Sequence, residues 1–204
     1  EILDALFVFR SGRGRAAASL EPAPRLPDGT VNLGRSNGEQ GVWGLVGVLD
    51  FAQVAVGGPV QGNIKLQGPA TGGSGEEPWI PFKPWSAAIY NSNSLNNSKY
   101  DPEGMCLPPG GPRLIGTGYP VEIIQQPENK RILMVFEGGA HIWREIYMDG
   151  RAHPGSRSFD GSNLWLGHSV GHYEDNGNTL VVHAVGFNEG TWLDNAGRPH
   201  SDQL

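Results

Sequence analysis

An Asn-Gly pair near the C-terminal end constrains the fold of this chain more than any other feature of its sequence. Asn176-Gly177 lies between the segments HSVGHYE and TLVVHAVGF, and both residues tolerate the positive φ angles of a type I′ hairpin turn. A loop of these two residues fixes the register of the two flanking strands. The predicted pairs are Asp175 with Asn178, Glu174 with Thr179, His172 with Val181, Val170 with His183, and His168 with Val185.

This register places three histidines, His168, His172 and His183, on one face of the hairpin together with Glu174, because directly paired residues share a face. His183 is diagonal to each of the other two, and diagonal neighbours lie ~7–8 Å apart. His168 and His172 are ~13 Å apart at about 3.3 Å per residue, whereas one zinc ion holds nitrogens at ~2.0–2.1 Å. Four interpretations remain open: one ion on all three rings, a two-histidine site with a carboxylate from elsewhere, an acid–base histidine in a ligand cavity, or polar residues on a half-exposed face.

Glycine and proline limit the rest of the fold. The chain has 31 glycines and 16 prolines among 204 residues, which indicates many turns and little helix. Strand patterns occur at 41–56, in VEIIQQ and RILMVFE around PENK, in HIWREIYM at 141–148, and in the hairpin above. Gly-rich loops lie near 57–62 and 68–75, and FKPWSAAIYNSNSL is the one predicted short helix. The segment DPEGMCLPPGGPR at 101–113 is predicted to be irregular, because Pro and Gly interrupt each turn.

The fold prediction is therefore mainly β, with at least six strands, mostly antiparallel, in a barrel or strongly curved sheet with long Gly/Pro-rich loops. A calycin-like barrel is one form of it, since Gly41-Val42-Trp43 resembles the Gly-x-Trp start of lipocalins, and a β-sandwich is the alternative. Residues 1–40 are predicted to form an extended N-terminal arm and residues 41–204 a single β domain.

Charge and composition bear on the possible partners. A net charge of −6 and a pI of about 5.5 argue against a nucleic-acid partner. The single cysteine, Cys106, excludes an intrachain disulfide and a cysteine metal cluster and is interpreted as a small buried thiol. No apolar run reaches the ~18 residues that a membrane span needs.

The segment FEGGAHIWREIYMDGRAHP at 136–154 concentrates polar and aromatic residues. On a strand from residue 141, His141 and Glu145 share one face, while Arg144 lies on the apolar face. Arg144 is predicted to pair with a carboxylate, since a lone buried charge is costly, or to anchor a ligand. His141 and His168 are the candidate acid–base residues, and Glu137 is a further candidate ligand contact.

The segment 186–204 offers a second set of candidate ligand contacts: Asn188, Trp192, Asp194 and His200. Trp with Asn or Asp suits carbohydrate or phenolic ligands, whereas the alternative is a folded loop in which Asn188 and Asp194 cap backbone amides. No nucleophile or phosphate-binding motif is present. The sequence thus leaves open whether the protein is an enzyme. It calls for no cofactor, with a divalent metal such as zinc as the alternative.

Several motifs resemble those of a family of uncharacterised secreted proteins that is abundant in soil bacteria such as acidobacteria. They include PRLPDGTVNLGR, DPEGMCLPPGGPR, YPVEIIQQPENKRILMVFEGGAHIWREIYMDGRAHP, GHSVGHYE and NTLVVHAVGFNEGTWLDNAGRPHSDQL, and together they span roughly residues 24–204. The resemblance implies a periplasmic or extracellular location. It also implies that several matching polar residues surround one pocket: Glu137, His141, Arg144, Asp149, Arg151, His153, His168, Ser169, Asn188, Trp192, Asp194, His200 and Ser201.

The chain departs from this family at two points. Relatives tend to have an acidic residue where this chain has His183. Relatives also continue past the PHSDQL motif with a further strand, whereas this sequence stops at Leu204. We therefore expect the sheet to lack C-terminal strands and to offer an edge that a partner strand can pair with.

These features lead to three functional hypotheses. The first is an exported protein that binds or acts on a small polar ligand, a sugar or a phenolic, through a pocket lined by His, Arg, Asn and Trp. The second is a structural or accessory subunit of an exported assembly or filament. The third is a metalloenzyme that uses the histidine face.

Overall fold

The computed structural model describes residues 5–10, 22–36, 41–44, 82–96, 99–155, 164–202 and 204, and for residues 5–10, 140 and 141 it describes the backbone alone. The predicted strand beyond Gly44 and the two Gly-rich loops at 57–62 and 68–75 lie outside these residues. No helix within the described ranges has the length and apolar character needed to cross a membrane.

The described strands form one mixed sheet that is curled into a half-barrel. They are β1 (Ala5–Arg10), β2 (Val42–Gly44), β3 (Pro120–Gln126), β4 (Arg131–Phe136), β5 (Trp143–Tyr147), β6 (His168–Glu174) and β7 (Thr179–Val185). Their spatial order is β1-β7-β6-β5-β4-β3-β2, and every neighbouring pair is antiparallel except β5–β6. The prediction of a mainly β, strongly curved sheet is confirmed. Part of the predicted arm, Ala5–Arg10, is a strand of this sheet.

The predicted register of the β6–β7 hairpin is confirmed from Glu174 with Thr179 to His168 with Val185. Asn176 and Gly177 have positive φ angles of 54° and 80°, as predicted. The predicted two-residue loop is wrong, because the pair Asp175–Asn178 is absent from the ladder and Asp175 also has a positive φ of 51°. Local hydrogen bonds hold it there: Thr179 Oγ1 donates to Asp175 Oδ2 at 2.6 Å, and Asn178 Nδ2 donates to the Asp175 carbonyl at 2.7 Å.

Among the described residues, three α-helices lie between the strands: α1 (Pro84–Leu95), α2 (Gly111–Gly116) and α3 (Gly138–His141). The predicted short helix is confirmed as α1. The prediction of an irregular 101–113 segment is wrong at its end, because α2 begins there with Pro112 in its first turn. Proline is tolerated in that position, since its missing N–H has no partner within the helix. Cys106 in the same segment is exposed rather than buried.

Helix α3 also corrects the start of β5. His141 is its last residue, and the strand begins at Trp143, so His141 does not continue the face of Glu145. Two glycines explain the turn. Gly139 has a φ of +67°, and a Cβ on Gly138 would lie 2.0 Å from the Tyr119 ring, so this close approach requires glycine.

Alternation along the strands gives the sheet two distinct faces. The core face carries buried apolar residues: Val121, Ile123, Ile132, Met134, Phe136, Ile146, Leu180 and Val182. Val31 and Leu33 of the 22–36 segment and Leu114 of α2 pack against it. The other side, called the open face below, carries Trp143, Glu145 and Tyr147 of β5, none of which is fully buried, and the histidines of β6 and β7.

Candidate functional site

Three histidines form a hydrogen-bonded chain on the open face. His153, in the loop after β5, lies in the middle: its Nδ1 is 2.9 Å from His168 Nδ1, and its Nε2 is 2.8 Å from His183 Nδ1. The neighbouring rings meet edge to face, with centroids 5.0 and 4.7 Å apart. His168 and His183 stand diagonally on the paired strands, as their register predicts, and His153 fills the space between them. We call His153, His168 and His183 the histidine chain.

The chemistry of imidazole allows two orders of hydrogen-bond donors and acceptors along this chain. Each nitrogen-to-nitrogen contact needs one N–H donor and one acceptor, and a neutral imidazole supplies one of each. If His168 donates from Nδ1 to His153 Nδ1, then His153 donates from Nε2 to His183 Nδ1, and all three rings are neutral. The opposite order is equally consistent. Histidine titrates near neutral pH, so a proton that enters at one end can be carried along the chain.

An aromatic and cationic border lies beside the histidine chain. The Tyr147 ring stacks on His168, with centroids 5.1 Å apart at an angle of 27°. Arg151 places its guanidinium carbon 3.8 Å from the Tyr147 centroid. Asp149 fixes the guanidinium through three contacts of 2.6–3.0 Å. Stacked arginine and tyrosine form a flat surface that also carries charge.

These neighbours set the protonation states at the site. Burial lowers the pKa of His168, and the positive charge of Arg151 lowers it further, while Asp149 acts in the opposite direction. Hydrogen bonds from Arg151 hold the pKa of Asp149 at about 2. Burial and the nearby Glu145 carboxylate raise the pKa of Tyr147. At neutral pH, His168 is therefore a neutral imidazole beside a fixed ion pair.

The predicted metal trio is not brought together. His172 is exposed, with its Nε2 3.0 Å from Glu174 Oε1, whereas His168 and His183 belong to the histidine chain. The described residues contain no group of three or more His, Cys, Asp or Glu side chains arranged to hold a metal ion. The four-residue spacing of His168 and His172 on a single strand accounts for their separation.

Among the predicted acid–base and anchor residues of the 136–154 segment, Arg144 lies on the side of the sheet opposite His168. Arg144 is buried on the core face, as predicted, where its Nη2 donates to the Leu166 carbonyl at 3.3 Å and burial lowers its pKa to about 10. Glu137 is exposed just before α3, and the side chain of His141 lies outside the described part of the chain. Arg144 thus cannot share a pocket with His168.

Among the predicted ligand contacts of the 186–204 segment, Asp194 and His200 are buried. Asp194 Oδ2 is 2.6 Å from Arg198 Nη1, and both side chains are almost fully enclosed. His200 Nε2 lies 2.6 Å from Thr191 Oγ1, and burial lowers the pKa of His200. These residues hold the C-terminal loop together. We call Thr191, Asp194, Arg198 and His200 the C-terminal cluster.

Asn188 and Trp192 have similar local roles. Asn188 Oδ1 accepts a hydrogen bond from the Gly190 amide at 2.8 Å, which is the capping geometry foreseen as the alternative to ligand binding. Trp192 is only 7% exposed, and the Arg113 guanidinium lies 5.9 Å from its ring centroid. The indole therefore offers little surface to a ligand.

Arg113, which was not among the predicted site residues, connects this region to the 101–113 segment. It is buried and contacts Asp101 at 2.6 Å, Glu103 at 2.8 Å and Asn195 at 2.8 Å. A buried guanidinium requires such carboxylate partners. The acidic residues of DPEG and the arginine of GGPR are thus explained by one ion cluster.

The fold and the site define a mainly β half-barrel protein with a histidine chain on the open face of its sheet. No protein-family model, no curated protein and no solved structure matches the chain.

Proposed function

We propose that this protein binds a small hydroxylated ligand, a sugar or a phenolic compound, on the open face of the sheet beside His168. The observation that carries the proposal is the histidine chain itself, half-buried and bordered by the Tyr147–Arg151 surface. The Arg151 guanidinium, stacked on Tyr147, would contact the flat face of a sugar or phenol ring, and His168 would contact a hydroxyl group.

The available atom for that hydroxyl is His168 Nε2. Its other nitrogen is occupied by His153, and no residue within the described ranges hydrogen-bonds to Nε2. A ligand hydroxyl that donates to Nε2 selects the tautomer in which His168 donates from Nδ1 toward His153. The rest of the chain then has one consistent order of donors and acceptors. If the ligand is also transformed, His168 would take its proton as a general base.

The test is a binding titration with two variants that differ only in which histidine of β6 is lost. Glucose, galactose, catechol and p-hydroxybenzoate are titrated into the wild type, into His168→Ala and into His172→Ala. We expect at least one compound to raise the melting temperature of the wild type. His168→Ala should bind it about tenfold more weakly, the loss expected of one hydrogen bond.

His172→Ala is the matched control, because His172 lies on the same strand but contacts only Glu174 among the described residues. It should bind like the wild type. The proposal fails if no compound of the panel shifts the melting temperature, or if both variants lose affinity equally.

We place the function in the periplasm or outside the cell, as the resemblance to secreted proteins implies, and fractionation of cells that express the full-length gene tests this location.

A divalent metal such as zinc is the alternative means of holding the ligand. Titrations of the protein with zinc and after chelation distinguish metal-assisted from direct binding.

The second candidate function is a subunit of a larger exported assembly. It is favoured by exposed apolar side chains on the open face: Val135 and Trp143 are paired on β4 and β5 and are 38% and 58% exposed, and Val42 on β2, 55% exposed, is separated from Val135 by Glu122 of β3. Exposed apolar patches of this kind mark protein interfaces. Light scattering at increasing protein concentration tests this candidate. A mass that grows and that Trp143→Ser returns to the monomer supports it, whereas a monomer throughout removes it.

A further inference from the structure

A second site lies on the other side of the molecule, where the core face ends between the 22–36 segment and the β3–β4 hairpin. There a cavity of about 180 Å³ opens. It is smaller than the ~300–1,000 Å³ typical of sites for drug-sized ligands, so its occupant is a compact molecule. None of the histidine-chain residues lines it.

The floor of the cavity is apolar and its back wall is rigid. Leu26, Ile132 and Met148 supply the apolar surface. The Tyr173 hydroxyl is held by Gln125 Nε2 at 2.7 Å, and Gln125 is itself fixed by the backbone of the 22–36 segment, at Val31 and Leu33. A wall fixed in this way is already formed before a ligand arrives.

The rim carries one acidic and one basic side chain, Asp28 and Lys130, that can each contact a ligand. Asp28 uses its Oδ1 to accept hydrogen bonds from the Thr30 amide and hydroxyl at 2.9 and 2.6 Å, while no described residue donates a hydrogen bond to its Oδ2. The Lys130 ammonium makes no ion pair with any residue in the described part of the chain. Arg131, by contrast, is bound to Gln126 and Glu145.

We infer that this cavity binds a small zwitterion, a free α-amino acid with a compact apolar side chain. Its ammonium group contacts Asp28, its carboxylate contacts Lys130, and its side chain covers the apolar floor. Each charge of the ligand meets an opposite charge at the rim. A zwitterion can contact both side chains at once, whereas a ligand with only one charge makes one of these two contacts, which makes the zwitterion the preferred class.

The experiment is a calorimetric titration of the intact protein with L-valine, and with isobutyrate and isobutylamine, which each keep one charge and a similar apolar body. We expect L-valine to bind at least tenfold more tightly than either analogue. The variants are Asp28→Asn and Lys130→Gln. Asp28→Asn retains the oxygen that accepts from Thr30, so the turn is preserved.

Each variant should weaken L-valine binding about tenfold. Glu128→Gln is the control, because Glu128 lies in the same turn as Lys130 but does not line the cavity. Absence of L-valine binding at millimolar concentrations overturns the inference. Equal binding of isobutyrate and L-valine, or of isobutylamine and L-valine, also overturns it, as does equal weakening by Glu128→Gln.

Discussion

The histidine chain with its bordering Arg–Asp pair and the C-terminal cluster each combine histidine with an Arg–Asp ion pair, yet they differ in their access to solvent. The ion pair beside the histidine chain, Arg151–Asp149, is 45% and 29% exposed. The pair in the C-terminal cluster, Arg198–Asp194, is 3% and 0% exposed. Both pairs have contacts of 2.6 Å, so distance does not distinguish them. Burial does, and it separates a surface that can receive a ligand from one that holds a loop in place.

The energetic consequence of this difference is large. An exposed ion pair gains little, because water and salt screen its charges. Removal of one partner from a buried pair leaves an uncompensated charge in a medium of low dielectric constant. The same substitution should therefore have opposite consequences in the two regions: loss of stability in the C-terminal cluster and loss of function beside the histidine chain.

The largest effect is expected from Asp194→Ala. It leaves the Arg198 guanidinium buried without its carboxylate, and the free energy of unfolding should fall by about 3–5 kcal/mol. Urea denaturation followed by circular dichroism measures the change. Asp149→Ala is the counterpart in the exposed pair and should change stability little. Equal losses for the two variants would break the proposed contrast between the regions.

A smaller effect is expected from pH, through the buried His200. Burial lowers the pKa of His200 in the folded protein, whereas in the unfolded chain it has the ordinary value near 6.5. Between these two pKa values the unfolded chain binds the proton more tightly. Its contribution to stability is therefore complete above pH ~6.5 and is lost as the pH falls below that value. Urea midpoints measured at pH 7.5, 6.5 and 5.5 should decrease in that order.

His200→Gln should flatten this pH profile, because glutamine does not titrate. His172→Gln, an exposed counterpart, should leave the profile as it is in the wild type. A profile that stays equally steep in His200→Gln would show that burial at the C-terminal cluster does not control the acid response.

The smallest effect is expected at the histidine chain itself. Burial lowers the pKa of His168, the positive charge of Arg151 lowers it further, and Asp149 raises it. Arg151→Gln removes the lowering by Arg151 and keeps the effect of Asp149, so the pKa of His168 should rise. An NMR titration of the histidine ring protons measures it. The same titration of Arg25→Gln, in the 22–36 segment, should show no such rise, and a rise of equal size there would contradict a local cause.

The strand register was accessible from sequence because its determinants are local. Asn176 and Gly177 favour the turn whatever surrounds them, and the alternation of β6 and β7 then assigns each side chain to a face. The diagonal placement of His168 and His183 followed from this alone. The burial of Arg144 was predictable for the same reason, since it lies two residues from Ile146 and therefore shares its face of β5.

The composition of the site was less accessible. His153 is the central member of the histidine chain, but it lies in a loop after β5, where neither period nor pairing fixes a position. Its occurrence among the family-like motifs was the available signal. His172 shares a strand face with His168, yet the two residues are four positions apart on the strand. The parallel pairing of β5 with β6 instead brings His153, in the loop after β5, next to His168.

The sequence by itself determined the mainly β class, the β3–β4 and β6–β7 hairpins and the face on which each strand residue lies, because turn chemistry and the two-residue period of a strand act between near neighbours. Only the tertiary structure decided that Trp192, Asp194 and His200 are enclosed while His168 and Arg151 remain reachable. Burial is produced by segments far apart in the chain, such as Arg113 against Trp192 and His153 against His183. Residue type alone carries no information about such encounters.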